Sequence, residues 1–164
     1  MNVPPIYVAL TAQLPRLEAS FGVGGITLVP PQSVEAAQVG YSTARDGTPL
    51  VSNEPGSWKR SWLVIGNETS LGDPVFMDVE DPKFPVFTAF HGEGSWEPLP
   101  IAVSLKAFVA CFKEFAVVAK DRDSPGALHD HPLEEKERDR FIARVAEINA
   151  GSTGHDFWEA AVSC

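Results

Sequence analysis

The sequence predicts an α+β fold in which a twisted antiparallel β-sheet packs against helices. Short runs of β-type residues, separated by Gly, Asp and Pro turns, lie in the middle of the chain, and segments with helical periodicity lie on both sides of them. The links between these runs are too short for the crossover that parallel strands need, so neighbouring strands are expected to be antiparallel. A length of 164 residues predicts a single domain, residues 1–164.

Four strands are expected where apolar and β-branched residues run together between turn residues: 26–29, 62–65, 75–79 and 86–91. The run at 62–65 is apolar on both faces, which is typical of a strand at the centre of a sheet. The glycines in residues 22–25 predict a sharp turn before the first strand. Residues 43–57 are rich in Gly, Pro, Asn and Ser, and they predict an exposed loop.

Helices are expected where apolar residues recur at helical spacing: 6–20, 34–39, 105–119, 133–150 and 156–162. Pro15 is expected to break the first of them, because a proline removes a helical hydrogen bond. Ser33 and Ser104 are expected to cap the second and third helices, and Gly151 is expected to stop the fourth. The polar residues 121–132 predict a loop between the third and fourth helices.

The composition is that of an ordinary globular protein, with 44% hydrophobic and 21% charged residues. No apolar run approaches the roughly 18 residues of a membrane span, and the N-terminus lacks the pattern of a signal peptide. The two cysteines, Cys111 and Cys164, lack metal-ligand spacing and fit a reducing compartment. We therefore expect a cytoplasmic protein that does not act at a membrane, with Cys111 as a small core residue.

The net charge of −9 is concentrated in the middle of the chain. Residues 66–100 carry seven acids against one lysine, a net charge of −6. The acids are Glu68, Asp73, Asp78, Glu80, Asp81, Glu93 and Glu97. Such a surface repels DNA and RNA and attracts a basic protein. The simpler alternative is that the acidity only keeps the protein soluble.

The candidates for metal binding are His129 and His131, which lie on either side of Asp130. Two histidines close together can bind a divalent ion, but a third ligand at a fixed spacing is missing, and the surrounding residues predict a surface loop. The chain has no Gly-x-Ser-x-Gly elbow and no His-Glu-x-x-His pair. The sequence therefore predicts no catalytic residue, no cofactor and no metal ion.

Two further segments allow a functional or a structural interpretation. Gly72-Asp73-Pro74 could present a carboxylate at the mouth of a cleft, but a turn in which Asp73 hydrogen-bonds its own backbone is the simpler interpretation. His91 ends a strand near Glu93 and could act as a base, although a structural role is more common for such a residue.

Tryptophans surround the expected strands, at positions 58, 62 and 96. Exposed tryptophans are frequent hot spots of protein interfaces, whereas buried ones pack over a sheet. We expect Trp62 to pack over the sheet, while the turn residues around Trp58 and Trp96 leave both fates open.

Several short motifs recur in a fixed order along the chain. They are residues 24–29 (Gly-Gly-Ile-Thr-Leu-Val), 40–41 (Gly-Tyr), 62–66 (Trp-Leu-Val-Ile-Gly), 72–78 (Gly-Asp-Pro-Val-Phe-Met-Asp), 85–87 (Pro-Val-Phe), a return strand leading into 101–108 (Ile-Ala-Val-Ser-Leu-Lys-Ala-Phe), and 157–158 (Phe-Trp). In this order the motifs resemble the SUKH superfamily, which is named after a fungal cell-wall assembly regulator (Smi/Knr-like). The resemblance is good over residues 20–118 and looser over the C-terminal helices, about 133–163.

The resemblance implies a fold of helices around a twisted antiparallel sheet, no cofactor, and a function in protein binding. Bacterial members of this superfamily serve as immunity proteins of contact-dependent and polymorphic toxin systems. Together with the acidic surface, this gives the hypothesis of a non-enzymatic immunity protein that binds a basic toxin domain, such as a nuclease. The residues expected to contact the toxin are Asp78, Glu80, Asp81, Glu93, Trp96 and Glu97.

Two alternatives remain open at this point. A scaffold or regulatory domain of the same fold, without a toxin partner, would account for the same motifs. A metal-dependent hydrolase that uses His129 and His131 is the less favoured alternative, because the third ligand is missing. The oligomeric state is not predicted by the sequence.

Overall fold

A six-stranded antiparallel sheet, curled into a half-barrel, runs through the centre of the structure. The computed structural model describes residues 3–163, so Cys164 lies outside the described residues. Each strand pairs with the strand that follows it in sequence. The strands are β1 (Glu18–Phe21), β2 (Gly24–Leu28), β3 (Trp62–Glu68), β4 (Pro74–Asp78), β5 (Val86–Thr88) and β6 (Leu99–Ala102). The predicted α+β class with an antiparallel sheet is confirmed.

Helices cover one face of this sheet and form the main core with it. They are α1 (Pro5–Thr11), α2 (Val34–Ala37), α3 (Leu105–Ala119), α4 (Pro125–Asp130), α5 (Glu135–Ile148) and α6 (His155–Ala161). Helix α3 contacts both edge strands, β1 and β6, and also packs against α5. Buried Phe108, Phe112 and Phe115 of α3 belong to the same core as Val75 and Met77 of β4. The predicted core position of Cys111 is confirmed, since its side chain is fully buried.

The second face of the sheet carries a separate, smaller core. We call it the aromatic cluster, and its rings are Tyr41, Trp58, Trp62, Phe76, Phe87 and Trp96. Because successive strand residues point to opposite faces, Leu63 and Ile65 face the helices while Trp62 and Val64 face this cluster. The prediction that this strand is apolar on both faces and central is confirmed. Residues 45–50 are exposed, as expected for the loop that follows Tyr41.

The expected helix over residues 6–20 is wrong in its second half. Helix α1 ends at Thr11, and the chain then enters strand β1, which pairs with β2 in the register Ala19 to Ile26. Ala19 and Phe21 are buried and point into the main core with the two-residue period of a strand. Over so short a stretch, the apolar positions fit the period of a helix and the period of a strand equally well. The strand forms because pairing with β2 satisfies the hydrogen-bonding groups of its backbone.

The expected loop over residues 121–132 is also wrong, because it contains helix α4. The Ser124 side chain accepts a hydrogen bond from the backbone N–H of Ala127 at 3.2 Å, and Pro125 occupies the first turn. A serine cap followed by proline is a favourable start for a helix. Arg122 then fixes the end of the helix, since its Nε donates to the His131 carbonyl at 2.8 Å.

The predicted helix boundaries hold in part. Ser104 caps α3 as expected, with its hydroxyl accepting from the Ala107 N–H at 3.1 Å. Ser33 ends a single 3-10 turn (Pro31–Ser33) with helical backbone angles, and within residues 3–163 its side chain makes no capping bond. At the end of α5, the left-handed residue is Ala150, with φ of 53°, and the predicted stop Gly151 follows it.

Candidate functional site

The strand directions divide the six predicted contact residues between two ends of the sheet. Asp78, Glu80 and Asp81 lie at the end of β4 and in the β4–β5 turn, which we call the hairpin end. Glu93, Trp96 and Glu97 lie in the β5–β6 connection, which joins its strands at the opposite end. Three of the six residues therefore lie at the β4–β5 turn and three in the β5–β6 connection, which also contacts the segment before β3, since the Trp96 N–H donates to the Gly56 carbonyl at 2.7 Å.

The hairpin end carries bases as well as acids. The Val79 N–H donates to the Ser61 carbonyl at 2.8 Å, which places Arg60 and Lys59 beside the β4–β5 turn. The Leu105 N–H donates to the Lys83 carbonyl at 3.3 Å, which brings the first turn of α3 to the same place. Its bases are Lys59, Arg60, Lys83 and Lys106, against the acids Asp78, Glu80 and Asp81. The negative charge of residues 66–100 is offset at this end.

The opposite end contains three segments that carry acids without lysine or arginine, while the β1–β2 turn at the same end is bonded to the Arg122 carbonyl. The three segments are the β3–β4 turn, the β5–β6 connection and the start of α6, and together we call them the acidic end. Its acids are Glu68, Asp73, Glu93, Glu97, Asp156 and Glu159. Residues 66–74, 89–98 and 152–161 contain no lysine and no arginine. The net negative charge of the sheet is therefore concentrated here.

A groove of about 820 Å³ opens at the acidic end, between the sheet and α6. We call it the α6 groove. Three large apolar side chains stand at its sheet side and are unusually exposed for their type: Leu71 at 68%, Phe90 at 49% and Leu99 at 41%. Phe157 and Ala160 of α6 line the other side. Among the described residues that line it, three are acidic and none is lysine or arginine.

Helix α6, which forms one wall of the α6 groove, is hydrogen-bonded to the edge strand β6. The indole Nε1 of Trp158 donates to the Ile101 carbonyl at 3.0 Å, and Trp158 is fully buried. Gly154 lies so close to Ile101 that a Cβ at this position would collide with the Ile101 carbonyl. The start of α6 therefore packs against the outer edge of β6, and these contacts position the α6 side of the groove.

Asp73 lies in this groove and is 5% exposed. Its Oδ1 accepts the backbone N–H of His91 at 3.1 Å and lies 2.7 Å from Nδ1 of the same histidine. Asp73 therefore bonds a residue 18 positions away, and the expectation that it bonds its own turn is wrong. The turn itself is confirmed, since Gly72 has φ of 79° and Pro74 begins β4.

The second carboxylate oxygen of Asp73, Oδ2, makes no hydrogen bond with any of the described residues 3–163. The groove thus offers a mostly buried carboxylate with one free oxygen.

Asp73 also acts on the aromatic cluster behind the sheet. Burial raises the pKa of Tyr41, and the negative charge of Asp73 raises it further. Trp58 and Trp62 are buried in the cluster, so neither is a free interface residue. Trp96 is partly buried, with its ring 5.2 Å from that of Trp58 and 5.5 Å from that of Tyr41.

Among the described residues, the Asp73–His91 pair has the carboxylate and the imidazole of a catalytic triad without a hydrogen-bonded nucleophile. Within residues 3–163, His91 makes no hydrogen bond to a serine, threonine or cysteine, so the pair lacks the nucleophile of a triad. His91 remains half exposed, with 51% of its side chain accessible. Its contacts with Asp73 agree with the structural role expected for a histidine at the end of a strand.

The two other histidines of interest, His129 and His131, lie at the end of α4 and just after it, and both are exposed. No group of three His, Cys, Asp or Glu residues that could hold a metal ion occurs in the described part of the chain. A second groove of about 1140 Å³ lies near them, beside β1, and its lining mixes acids with Arg16, Lys113 and Lys120. This second groove has no single sign of charge.

No protein-family model, curated protein or solved structure matches this chain. Across residues 3–163, none of the helices combines the length and the apolar character that a membrane crossing requires. The charge and the shape of the acidic end are therefore the observations from which we propose a function.

Proposed function

We propose that the protein is a non-enzymatic, cytoplasmic binding protein of the SUKH type, an immunity protein that neutralises a basic toxin domain by covering it. The observation that carries this proposal is the acidic end, whose three segments carry six acids and no lysine or arginine, and where three of these acids line a groove with exposed apolar side chains. Apolar contacts surrounded by charge of one sign are typical of a surface that binds a partner of the opposite sign.

A toxin that cleaves nucleic acid suits such a surface. A nuclease must carry basic side chains to hold the phosphate backbone, and an acidic inhibitor can occupy the same side chains. Opposite charges also steer the two proteins together, which gives fast association that slows as salt screens the attraction. An immunity protein needs this speed because the toxin acts as soon as it enters or is made.

Within the six residues predicted from the sequence, the structure favours Glu93 and Glu97 over the others. They belong to the acidic end, and Trp96 between them has a partly exposed ring that a partner could cover. Glu80 and Asp81 lie with bases at the hairpin end, and we assign them a smaller contribution to the attraction.

Affinity capture of the tagged protein from its native cells, at low and at high salt, tests this proposal. We expect one stoichiometric partner with a basic C-terminal domain, retained better at low salt and identified by mass spectrometry. Expression of that domain alone should arrest growth, and co-expression of this protein should restore it. Capture of resident cellular proteins that do not affect growth would contradict the proposal and favour the scaffold function.

A further inference from the structure

We propose that the α6 groove receives a lysine or arginine side chain of the partner, which binds the free oxygen of Asp73 while apolar neighbours of that side chain pack on the groove walls. The inference rests on the proposed function for the identity of the partner. It deepens that function because it names the part of the surface that recognises the partner and the chemistry that it recognises.

Asp73 is nearly buried, and only one of its two carboxylate oxygens is hydrogen-bonded within residues 3–163. A carboxylate that is 5% exposed has lost most of its hydration, and its Oδ1 recovers two polar contacts from His91. Its Oδ2 makes no hydrogen bond with residues 3–163, and Asp73 is one of the residues that line the groove. Buried carboxylates are normally paired on both oxygens, so this oxygen is available to an incoming donor.

Further polar and apolar groups line the α6 groove together with Asp73. Thr88 lines the groove beside Asp73 and is 6% exposed, and its hydroxyl can serve as a second polar contact. Leu71, Phe90 and Leu99 then form an apolar rim on the sheet side. An apolar pocket with a few converging polar groups is the usual form of a specific binding site.

The charge of the α6 groove complements that of a lysine or arginine side chain. Glu68 and Asp156 line the α6 groove together with Asp73. The described lining contains no lysine or arginine, while its histidine, His155, lies 3.3 Å from Asp156. A cationic side chain would be attracted by all three acids, whereas an anionic or neutral one would not. The long stem of lysine or arginine also suits the apolar rim, because its methylenes can pack there while its charged end reaches Asp73.

A defined peptide tests the inference without the natural partner. The blocked peptide acetyl-Leu-Arg-Leu-Lys-amide is titrated into the full protein, and binding is followed by amide chemical shifts. The matched control is acetyl-Leu-Gln-Leu-Gln-amide. We expect the basic peptide to perturb residues 68–73, 88–90, 99–101 and 153–161, and the neutral peptide to bind at least about tenfold more weakly.

Two variants locate the binding energy. Asp73→Asn keeps an acceptor for the His91 N–H but removes the charge, and it should weaken the basic peptide about tenfold. Leu71→Ala removes an apolar wall at a position that is 68% exposed, so it leaves the fold intact, and it should weaken binding about threefold. The control Asp121→Asn changes an exposed acid at the other groove, where φ of 62° tolerates asparagine, and it should leave binding unchanged.

Equal binding of the two peptides, shifts confined to the groove beside β1, or unchanged affinity in both Asp73→Asn and Leu71→Ala would overturn the inference. These results are distinguishable from a failure of the proposed function. If a captured toxin binds both variants as tightly as the original protein, the immunity function stands and the groove assignment fails. If no toxin is captured but the peptide binds through Asp73, the groove assignment stands and the immunity function fails.

Discussion

Asp73 and His91 meet across two neighbouring strand connections, with Nδ1 of the histidine 2.7 Å from Oδ1 of the aspartate. The contact joins the β3–β4 turn to the β5–β6 connection, and both segments belong to the acidic end. His91 holds one oxygen of the carboxylate, the other makes no hydrogen bond with residues 3–163, and Asp73 lines the α6 groove. The contact with His91 therefore positions the carboxylate of Asp73 that we propose to bind a cationic side chain.

Replacement of His91 should have a small effect on stability. His91→Ala keeps the backbone N–H that donates to Asp73 and removes only a side chain that is 51% exposed. Because the His91 ring is half exposed and Asp73 keeps the backbone N–H, we expect a loss of less than about 1 kcal/mol in the free energy of unfolding, measured by urea denaturation. A loss of several kcal/mol would show that the ring is essential to the fold.

Replacement of Gln38 should have a much larger effect. Its buried side-chain amide bonds the backbone of β3 in the way that a neighbouring strand would. Nε2 donates to the Val64 carbonyl and Oε1 accepts the Val64 N–H, both at 3.0 Å. Gln38→Leu leaves both backbone groups unpaired and should lower the free energy of unfolding by about 2–4 kcal/mol.

The matched control for this variant is Gln13→Leu. Gln13 is exposed and makes one bond to the Ala9 carbonyl within its own segment. We expect a change within about 0.5 kcal/mol in the same urea measurement. Equal losses for the two variants would contradict the role assigned to Gln38.

The end of helix α5 offers a stabilising substitution. Ala150 is exposed and has φ of 53°, a backbone angle that glycine adopts without strain. Ala150→Gly should raise the free energy of unfolding by roughly 0.5–1 kcal/mol, measured by thermal or urea denaturation. The control Ala143→Gly lies at an exposed position inside the same helix and should instead lower it by about 1 kcal/mol. Destabilisation by both glycines would contradict the left-handed assignment.

The buried thiol of Cys111 gives a prediction with a defined pH dependence. Burial raises the pKa of Cys111 to about 12, so the folded protein holds this proton more tightly than the unfolded chain does. Stability is therefore lost as the pH rises from the ordinary thiol value of 9.0 towards 12. Between pH 8 and pH 10 the contribution of Cys111 should amount to a loss of about 1 kcal/mol.

A Cys164→Ser variant isolates this thiol, and the double variant with Cys111→Ala serves as the control. The difference between their unfolding free energies should change with pH as stated. In the native Cys164→Ser protein, a thiol reagent at pH 8 should react about a hundredfold more slowly than in urea. Rapid reaction of the native protein would show that Cys111 is accessible.

The sequence predicted those features of the fold that depend on local chemistry. The two-sided apolar run of β3 and the serine cap of α3 follow from side-chain pattern and capping, and both are confirmed. The apolar residues before β1 fit two periods equally well, and only pairing with β2 decides between them. The prediction of a loop over residues 121–132 is wrong, although Ser124 and Pro125 form a helix-start signal from which α4 could be predicted.

The candidate site was predicted in part. The excess of acid in residues 66–100 was visible in the sequence, but its division between two ends depends on strand direction. The bases that offset the hairpin end come from the segment before β3 and from α3, which are distant in sequence. The contribution of α6 to the groove and the contact between Asp73 and His91 are tertiary features that no local pattern carries.

The association rate of the captured toxin domain with charge-reversed variants tests the central claim most directly. The pair Glu93→Lys and Glu97→Lys changes the acidic end, and the pair Glu80→Lys and Asp81→Lys makes the same change in net charge at the hairpin end. We predict that the first pair slows association at low salt by about tenfold or more, and that high salt removes most of the difference. The second pair should slow it several times less. A larger effect at the hairpin end, or no effect of either pair, would contradict the assignment of the acidic end as the binding surface.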